Sequence, residues 1–225
     1  MTSDGKITVL SQDKDLAVCL KPRGVLSEGC EEGSMPVRLG AQLGRTVFPV
    51  HRLDRETEGL MVYACNCRAA AALSKTIAEG GLEKEYLAVV CGVPVEREGR
   101  LTDLLFYDRG RGKSFAVARP RKGVKEAVLD YTVLEVGEGR ALLSIQLQTG
   151  RTHQIRVQFA SRGLPLVGDR RYGAPKGEEP MALCSTHLRF PHPNGTRILD
   201  YSFFPLPEEG SAWQSWQLLR DRASE

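Results

Sequence analysis

The segment His51-Arg52-Leu53-Asp54-Arg55-Glu56-Thr57-Glu58-Gly59-Leu60 packs six charged or titratable side chains between two apolar stretches. An Asp held beside arginines at a strand end stays ionised, because a neighbouring cation lowers its pKa by about 1–3 units. Such a carboxylate suits nucleophilic or basic work better than acid catalysis. The plainer alternative is a structural ion-pair cluster that fixes a turn. A second segment, Gly150-Arg151-Thr152-His153-Gln154-Ile155-Arg156, places four hydrogen-bond donors (Arg151, His153, Gln154 and Arg156) at the start of a helical stretch. Backbone N–H groups there also favour anions. This cluster can bind phosphate or pair with Asp54; the alternative is ordinary capping with exposed basic residues.

Other patterns carry less. Gly112-Lys113-Ser114 resembles the end of a phosphate loop, but Tyr107 stands where its first glycine belongs, and FAVARP provides no following helix. Cys65-Asn66-Cys67 lacks the second ligand pair of a zinc site. Cys184 and His187 lie close in sequence, but Cys–His catalysis needs spatial evidence that sequence does not supply. Neither a metal nor a nucleotide cofactor is expected.

The elements that must position these residues read as a few helices among many strands. ITVL and LAVCLK are strands around the turn SQDKD. Ser34 with Pro36 opens a helix that Gly44 stops. TVFPV and LMVYAC are strands on either side of the charged loop. Asn66 caps a helix over 67–79, ended by Gly80-Gly81. EYLAVVCGV, GRLTDLLFY, AVLDYTVLEV and ALLSIQLQT continue as strands. Residues 152–162 are helical, with Thr152 as cap and Gly163 as stop. Asn194-Gly195 signals a hairpin, and SAWQSWQLLRDRASE a terminal helix with Trp213 and Trp216 on one face. This pattern predicts an α+β protein with a mostly antiparallel mixed sheet flanked by helices and loops, in a single domain over residues 1–225.

The chain has 225 residues, 41% apolar and 26% charged, which excludes a disordered or fibrous protein. No run approaches the roughly 20 apolar residues of a membrane span, and the start shows no secretory leader. Six cysteines imply reduced thiols and a cytoplasmic protein rather than a disulfide framework. The net charge of +3 conceals an uneven distribution. Residues 109–125 hold seven Lys or Arg and no acid, and residues 151–171 hold five Arg and one Asp. Two such segments suit a polyanion such as nucleic acid, or else a solvated surface loop. Monomer is the default state.

Taken together, HRLDRETEGL, then Lys84-Glu85-Tyr86-Leu87, then TGRTHQIRVQFASRGLPLVGDRRYG resemble, in order and spacing, the RluA-type pseudouridine synthases. DKDLAVCLKPRGVL looks like that family's opening strands and THLRFPHP like its late sheet, so the resemblance covers roughly residues 7–207. It implies the pseudouridine synthase fold and an isomerase (EC 5.4.99.-) that converts uridine to pseudouridine in ribosomal or transfer RNA by base flipping, without cofactor. It implies that Asp54 is the catalytic aspartate, attacking the nucleoside or removing a sugar proton. Tyr86 would stack on the target base, Arg156 would pair with the aspartate, and Arg52 would help fill the space of the flipped nucleotide. Arg151, His153 and Gln154 join Arg52 as expected RNA contacts.

Glu58 stands where the family usually has serine, and Arg55 is expected to neutralise it. Cys184-Ser185-Thr186 replaces a common leucine-histidine-alanine run. The S4-like domain that precedes many relatives is not expected. Two other functions compete: a non-catalytic RNA-binding or folding module with the same fold, and a hydrolase that pairs Asp54 with a second carboxylate about 5–10 Å away.

Overall fold

The computed structural model describes residues 6–177, 179–195 and 197–224. The leader reading therefore falls partly on residues 1–5, outside the described residues, as does Thr196 of the HPNGTR turn. The chain runs through β1 (Val9–Gln12), β2 (Leu16–Lys21), α1 (Met35–Leu43), β3 (Phe48–Pro49), β4 (Glu58–Ala64) and α2 (Cys67–Ala78). It continues with β5 (Glu83–Cys91), β6 (Glu98–Asp108), β7 (Lys113–Val117), β8 (Val124–Gly137), β9 (Arg140–Leu147) and α3 (Gln154–Ala160). A 3-10 turn (Arg170–Tyr172), β10 (Leu183–Pro191), β11 (Ile198–Ser202) and α4 (Gln217–Ala223) complete it. The expected α+β class with mixed strands is what forms. It divides into two compact units, one of residues 1–84 and 184–203 and the other of residues 85–183 and 204–225.

In the first unit β4 is the centre of a mixed sheet. β2 pairs with it antiparallel along its length, from Leu16 opposite Ala64 to Lys21 opposite Gly59. The other edge of β4 takes β3 near its end and, in parallel, β10 at its start. β1 extends the β2 side, and β11 pairs with β10 through the Asn194-Gly195 turn. Apolar residues of alternating parity, among them Leu16, Val18, Leu60 and Val62, bury one face against Ala69 and Leu73 of α2. Both helices of this unit begin where local chemistry directs. Ser34 precedes α1, which carries a proline in its first turn and ends at Gly44 in the left-handed region. Asn66 Oδ1 accepts the Ala69 N–H at 2.8 Å, capping α2.

The second unit is an antiparallel sheet in the order β5-β9-β8-β6-β7. α3 lies on one face of it, where Val157 packs with Leu105, Ala127 and Tyr172. Residues 113–117 of the basic stretch are strand rather than loop, hairpinned to β6 with Phe106 opposite Phe115.

Two boundaries differ from the sequence reading. Thr152 does not cap α3. Its carbonyl accepts Ser114 Oγ at 2.5 Å, and the residue before the helix is His153, held in the left-handed region at φ 55°. The terminal helix starts only at Gln217, so Trp213 and Trp216 precede it, both buried. The two Glu135 carboxylate oxygens accept the N–H groups of Gln217 and Leu218, each at 3.1 Å, so the cap of α4 comes from β8.

Candidate functional site

In the first unit the charged loop between β3 and β4 is braced against the segment that follows β2. Ser27 Oγ donates to the Leu53 carbonyl at 2.8 Å and accepts the Leu53 N–H at 3.2 Å. Tyr63 Oη, buried beneath, donates to the Ser27 carbonyl at 2.6 Å. The Gly24 N–H donates to the Arg55 carbonyl at 2.9 Å, and Arg55 Nε returns a bond to the Gly24 carbonyl at 2.8 Å. The Thr57 N–H closes the tip onto the Asp54 carbonyl at 3.0 Å. Asp54 thus stands, partly buried, on a turn whose backbone is fixed on both sides.

Beneath this turn Lys21 is buried, and its ammonium donates to the carbonyls of Pro22 (2.8 Å) and Arg55 (3.0 Å). Burial pushes its pKa down to about 8, while the carboxylates of Glu56, Asp54 and Glu58 favour the charged form. His51 is an acceptor: its Nε2 takes the Val62 N–H at 3.1 Å. Burial, with Lys84 adding repulsion, pushes its pKa down to about 3, so the imidazole is neutral at ordinary pH.

Arg52 is exposed and its guanidinium lies 2.7 Å from Glu28. The charge on Glu58 is met by Arg23 at 2.9 Å rather than by the expected Arg55, whose guanidinium serves the Gly24 carbonyl. Gly59, directly after Glu58, has φ 110°, and a Cβ there would fall 2.2 Å from the Ser185 carbonyl oxygen. Only glycine admits β10 so close to the end of the Asp54 loop.

The second unit holds Tyr86, Arg151, His153, Gln154 and Arg156. Tyr86 is buried in β5 opposite Ile145 of β9. Arg156, on α3, forms a bidentate pair with Asp169: Nε to Oδ2 at 2.6 Å and Nη2 to Oδ1 at 2.8 Å. The side chains are 8% and 1% exposed, so this pair is shielded from water. The other flank of the guanidinium faces the Tyr172 ring, 5.1 Å from its centroid. Tyr172 Oη in turn accepts the Ser114 N–H at 2.8 Å and shares a hydrogen bond with His153 Nδ1 at 2.9 Å. Asp169 and Tyr172 are thereby the seat of Arg156, fastened through Ser114 to β7.

Gln154 is buried and spends its amide inside the unit. Its Oε1 accepts from Thr149 Oγ1 (2.8 Å) and the Arg151 N–H (3.0 Å), and its Nε2 donates to the Val128 carbonyl (3.1 Å). Arg151 Nε donates to the Glu126 carbonyl at 2.8 Å. The two basic segments meet here: Lys113 Nζ donates to the Arg171 carbonyl at 2.6 Å, and Arg171 Nη1 to the Gly112 carbonyl. Among the described residues no carboxylate lies within 4 Å of the charged groups of Arg109, Arg119, Arg121, Lys122 or Lys125.

Lys21, Ser27, Asp169 and Tyr172 were not singled out by sequence reasoning. For Asp169 a signal existed, since it is the one acid among the five arginines of residues 151–171. Ser27 offered none.

The comparisons agree with this architecture. A profile of the family described as RNA pseudouridylate synthase matches residues 15–161. The chain is 36% identical over 233 residues to an uncharacterized RNA pseudouridine synthase of Aquifex aeolicus, covering 93% of this chain and 72% of that protein. It is 32% identical to the uncharacterized RNA pseudouridine synthase YlyB of Bacillus subtilis, covering 90% and 70%. Among solved structures, human RNA pseudouridylate synthase domain containing 4 superposes with a TM-score of 0.72 at 25% identity, over 88% of each chain. Human RNA pseudouridylate synthase domain containing 1 shares the fold, with a TM-score of 0.76 over 91% of this chain and 86% of that one. A motif order that resembled the RluA type, a fold shared with two solved synthase domains, and close relatives along nearly the whole sequence lead to one assignment: the chain belongs to the RNA pseudouridylate synthase family, in its RluA-type branch.

Proposed function

We propose that this protein isomerises specific uridines to pseudouridine in ribosomal or transfer RNA, with Asp54 as the catalytic carboxylate. The observation that carries this reading is the bracing of the Asp54 turn by Ser27, Arg55 and Lys21. A turn that merely reverses the chain needs no buried ammonium beneath it, whereas a reacting carboxylate needs its backbone held.

In the reaction the bond between uracil N1 and ribose C1′ breaks, the uracil rotates, and C5 bonds to C1′. C5 then gives up its proton to a base and N1 takes up a proton from solvent, so the net change is an isomerisation. Asp54 either attacks the sugar or removes one of its protons. Tyr86 provides an apolar face for the everted base, worth about 1–3 kcal/mol of stacking. Eversion itself costs a few kcal/mol. Arg156, held by Asp169 and Tyr172, supplies the cation of the reaction. The cations of residues 109–125 and 151–171, with Arg52, supply phosphate contacts that position RNA without reading its sequence. We place the protein in the cytoplasm as a monomer, a setting that suits its six free thiols. Among the described residues no helix is long and apolar enough to cross a membrane.

The test is Asp54→Asn, assayed by tritium release from RNA labelled at uridine C5 in cells that lack the protein. The amide is nearly isosteric but neither attacks nor takes a proton, so release falls at least a thousandfold while RNA affinity changes less than threefold. Turnover retained within tenfold overturns Asp54 as the reacting group. A wild-type protein that binds this RNA but releases no tritium identifies the non-catalytic module instead.

A further inference from the structure

The sheet of the second unit has two unlike faces where β7, β6 and β8 run side by side. α3 covers the face that carries Leu105, Ser114 and Ala127. Strand alternation sends Phe106 and Phe115 to the opposite face, and the register sets them directly across from each other, with Val124 of β8 on the other side of Phe106. Leu104 and Val117 are the next facing pair on the same side. All five are partly exposed, so a strip of apolar surface with two aromatic rings at its centre is left on the outside of the hairpin.

Cations border this strip and are held against its rings. The Arg121 guanidinium lies 4.4 Å from the Phe106 centroid, and the Arg111 guanidinium lies 5.8 Å from that of Phe115, as does the Lys113 ammonium, which is nearer the Tyr172 ring at 4.7 Å. Arg121 owes its place to a tight turn closed by the Val124 N–H on the Arg121 carbonyl at 3.0 Å. Gly123 completes the turn at φ 86°, its Cβ position 3.5 Å from the Phe106 ring. Among the described residues no carboxylate pairs with Arg121 or Lys113. The acids on this face are Asp108, 3.7 Å from Arg111, and the exposed Glu126, opposite Leu104. An arginine ordered by a ring rather than by a carboxylate, as Arg121 is, keeps its N–H groups available to an external anion.

We propose that this outer face, centred on Phe106 and Phe115, is a second RNA-binding surface that takes unpaired nucleotides flanking the target uridine, bases on the rings and phosphates on Arg121 and Arg111. It rests on the reading of the protein as one that acts on RNA. An A-form duplex offers phosphates but no free base faces, and would leave the aromatic strip unused. Single-stranded RNA satisfies both features at once.

The experiment measures affinity of the full chain for a fluorescein-labelled twelve-nucleotide oligouridylate and for a twelve-base-pair GC-rich RNA duplex. Phe115→Leu, which keeps the apolar strand, weakens oligouridylate binding about tenfold and duplex binding less than twofold. Arg121→Gln weakens both and flattens the salt dependence by nearly one ion. Unchanged oligouridylate affinity in Phe115→Leu, or equal losses for the two ligands, overturns the proposal. Should the variants misfold, photocrosslinking of wild type to a 5-iodouridine oligomer decides. Adducts on the tryptic peptides Ser114–Arg121 or Leu101–Arg109 support the surface, and adducts found only elsewhere refute it. Tritium release without these adducts sinks this inference alone, whereas adducts without tritium release sink only the synthase reading.

Discussion

Asp169→Asn is the sharpest perturbation of the buried network around Arg156. In the native protein both carboxylate oxygens of Asp169 take a guanidinium N–H, at 2.6 and 2.8 Å, and neither side chain has substantial access to water. The amide has a single acceptor oxygen, so one guanidinium donor loses its partner and the positive charge loses its counterion within the unit. Removing one member of a buried, bidentate ion pair costs about 3–5 kcal/mol, because the shielded charge loses two charge-assisted hydrogen bonds that water does not replace. For a chain of this length that corresponds to a melting temperature lower by roughly 10 °C. Activity tests the same reasoning independently. If Asp169 orients Arg156 for the reaction, the single-turnover rate at saturating RNA falls at least tenfold at a temperature where the variant is folded, and RNA affinity changes little. A double replacement, Arg156→Met with Asp169→Leu, recovers most of the stability and none of the rate, since an apolar pair of similar volume satisfies the cavity but offers no cation. Urea titration and rapid-quench tritium release measure the two quantities. A stability loss below about 1 kcal/mol together with a rate within twofold of wild type refutes the argument, since the pair would then be neither desolvated nor oriented as the structure has it.

The remaining predictions probe other links. An unfolded imidazole binds a proton near pH 6.5 whereas that of His51 resists until about 3, so stability drains as pH falls through this window. At pH 5 the loss is about 2 kcal/mol relative to neutral pH, and urea midpoints of His51→Gln should lack that component; an identical acid slope in both proteins rules His51 out. Gly59→Ala forces a methyl against the Ser185 backbone at a backbone angle unsuited to L-residues, so about 3 kcal/mol or more is lost. Gly80→Ala, at φ 80° with open space around it, costs about 1 kcal/mol; equal losses would dismiss the packing argument. Finally, the cations of residues 109–125 predict a log–log salt slope for RNA affinity of about −3 or steeper, and a flat response would make those residues bystanders.

How far the sequence discloses this molecule depends on the range of the interaction concerned. Ser34, Gly44, Asn66 and the Asn194-Gly195 turn act on backbone within a few residues of themselves, and each stands where the sequence puts it. The start of α3 was misread for the opposite reason. Thr152 is a competent cap by type, but its carbonyl is taken by Ser114 from a strand 38 residues earlier, and the chain turns into the helix through His153 instead. Trp213 and Trp216 were placed on a helix because their spacing suits one, yet the α4 cap comes from Glu135, more than 80 residues away, and that long-range bond decides where the helix begins.

The charges follow the same logic. Composition reveals that Glu58 needs a cation, but nearest-neighbour reasoning chose Arg55, because only the fold shows that Arg55 is engaged by Gly24 and that Arg23 arrives from across the loop. Motif matching names residues by what they resemble, so it found Arg156 and passed over Asp169, which holds it. The residues proposed to act on RNA are legible from type and spacing. Those that hold them in place, Lys21 and Ser27 beneath Asp54 and Asp169 and Tyr172 around Arg156, are defined by burial and by partners remote in sequence, and only three-dimensional packing brings them into view.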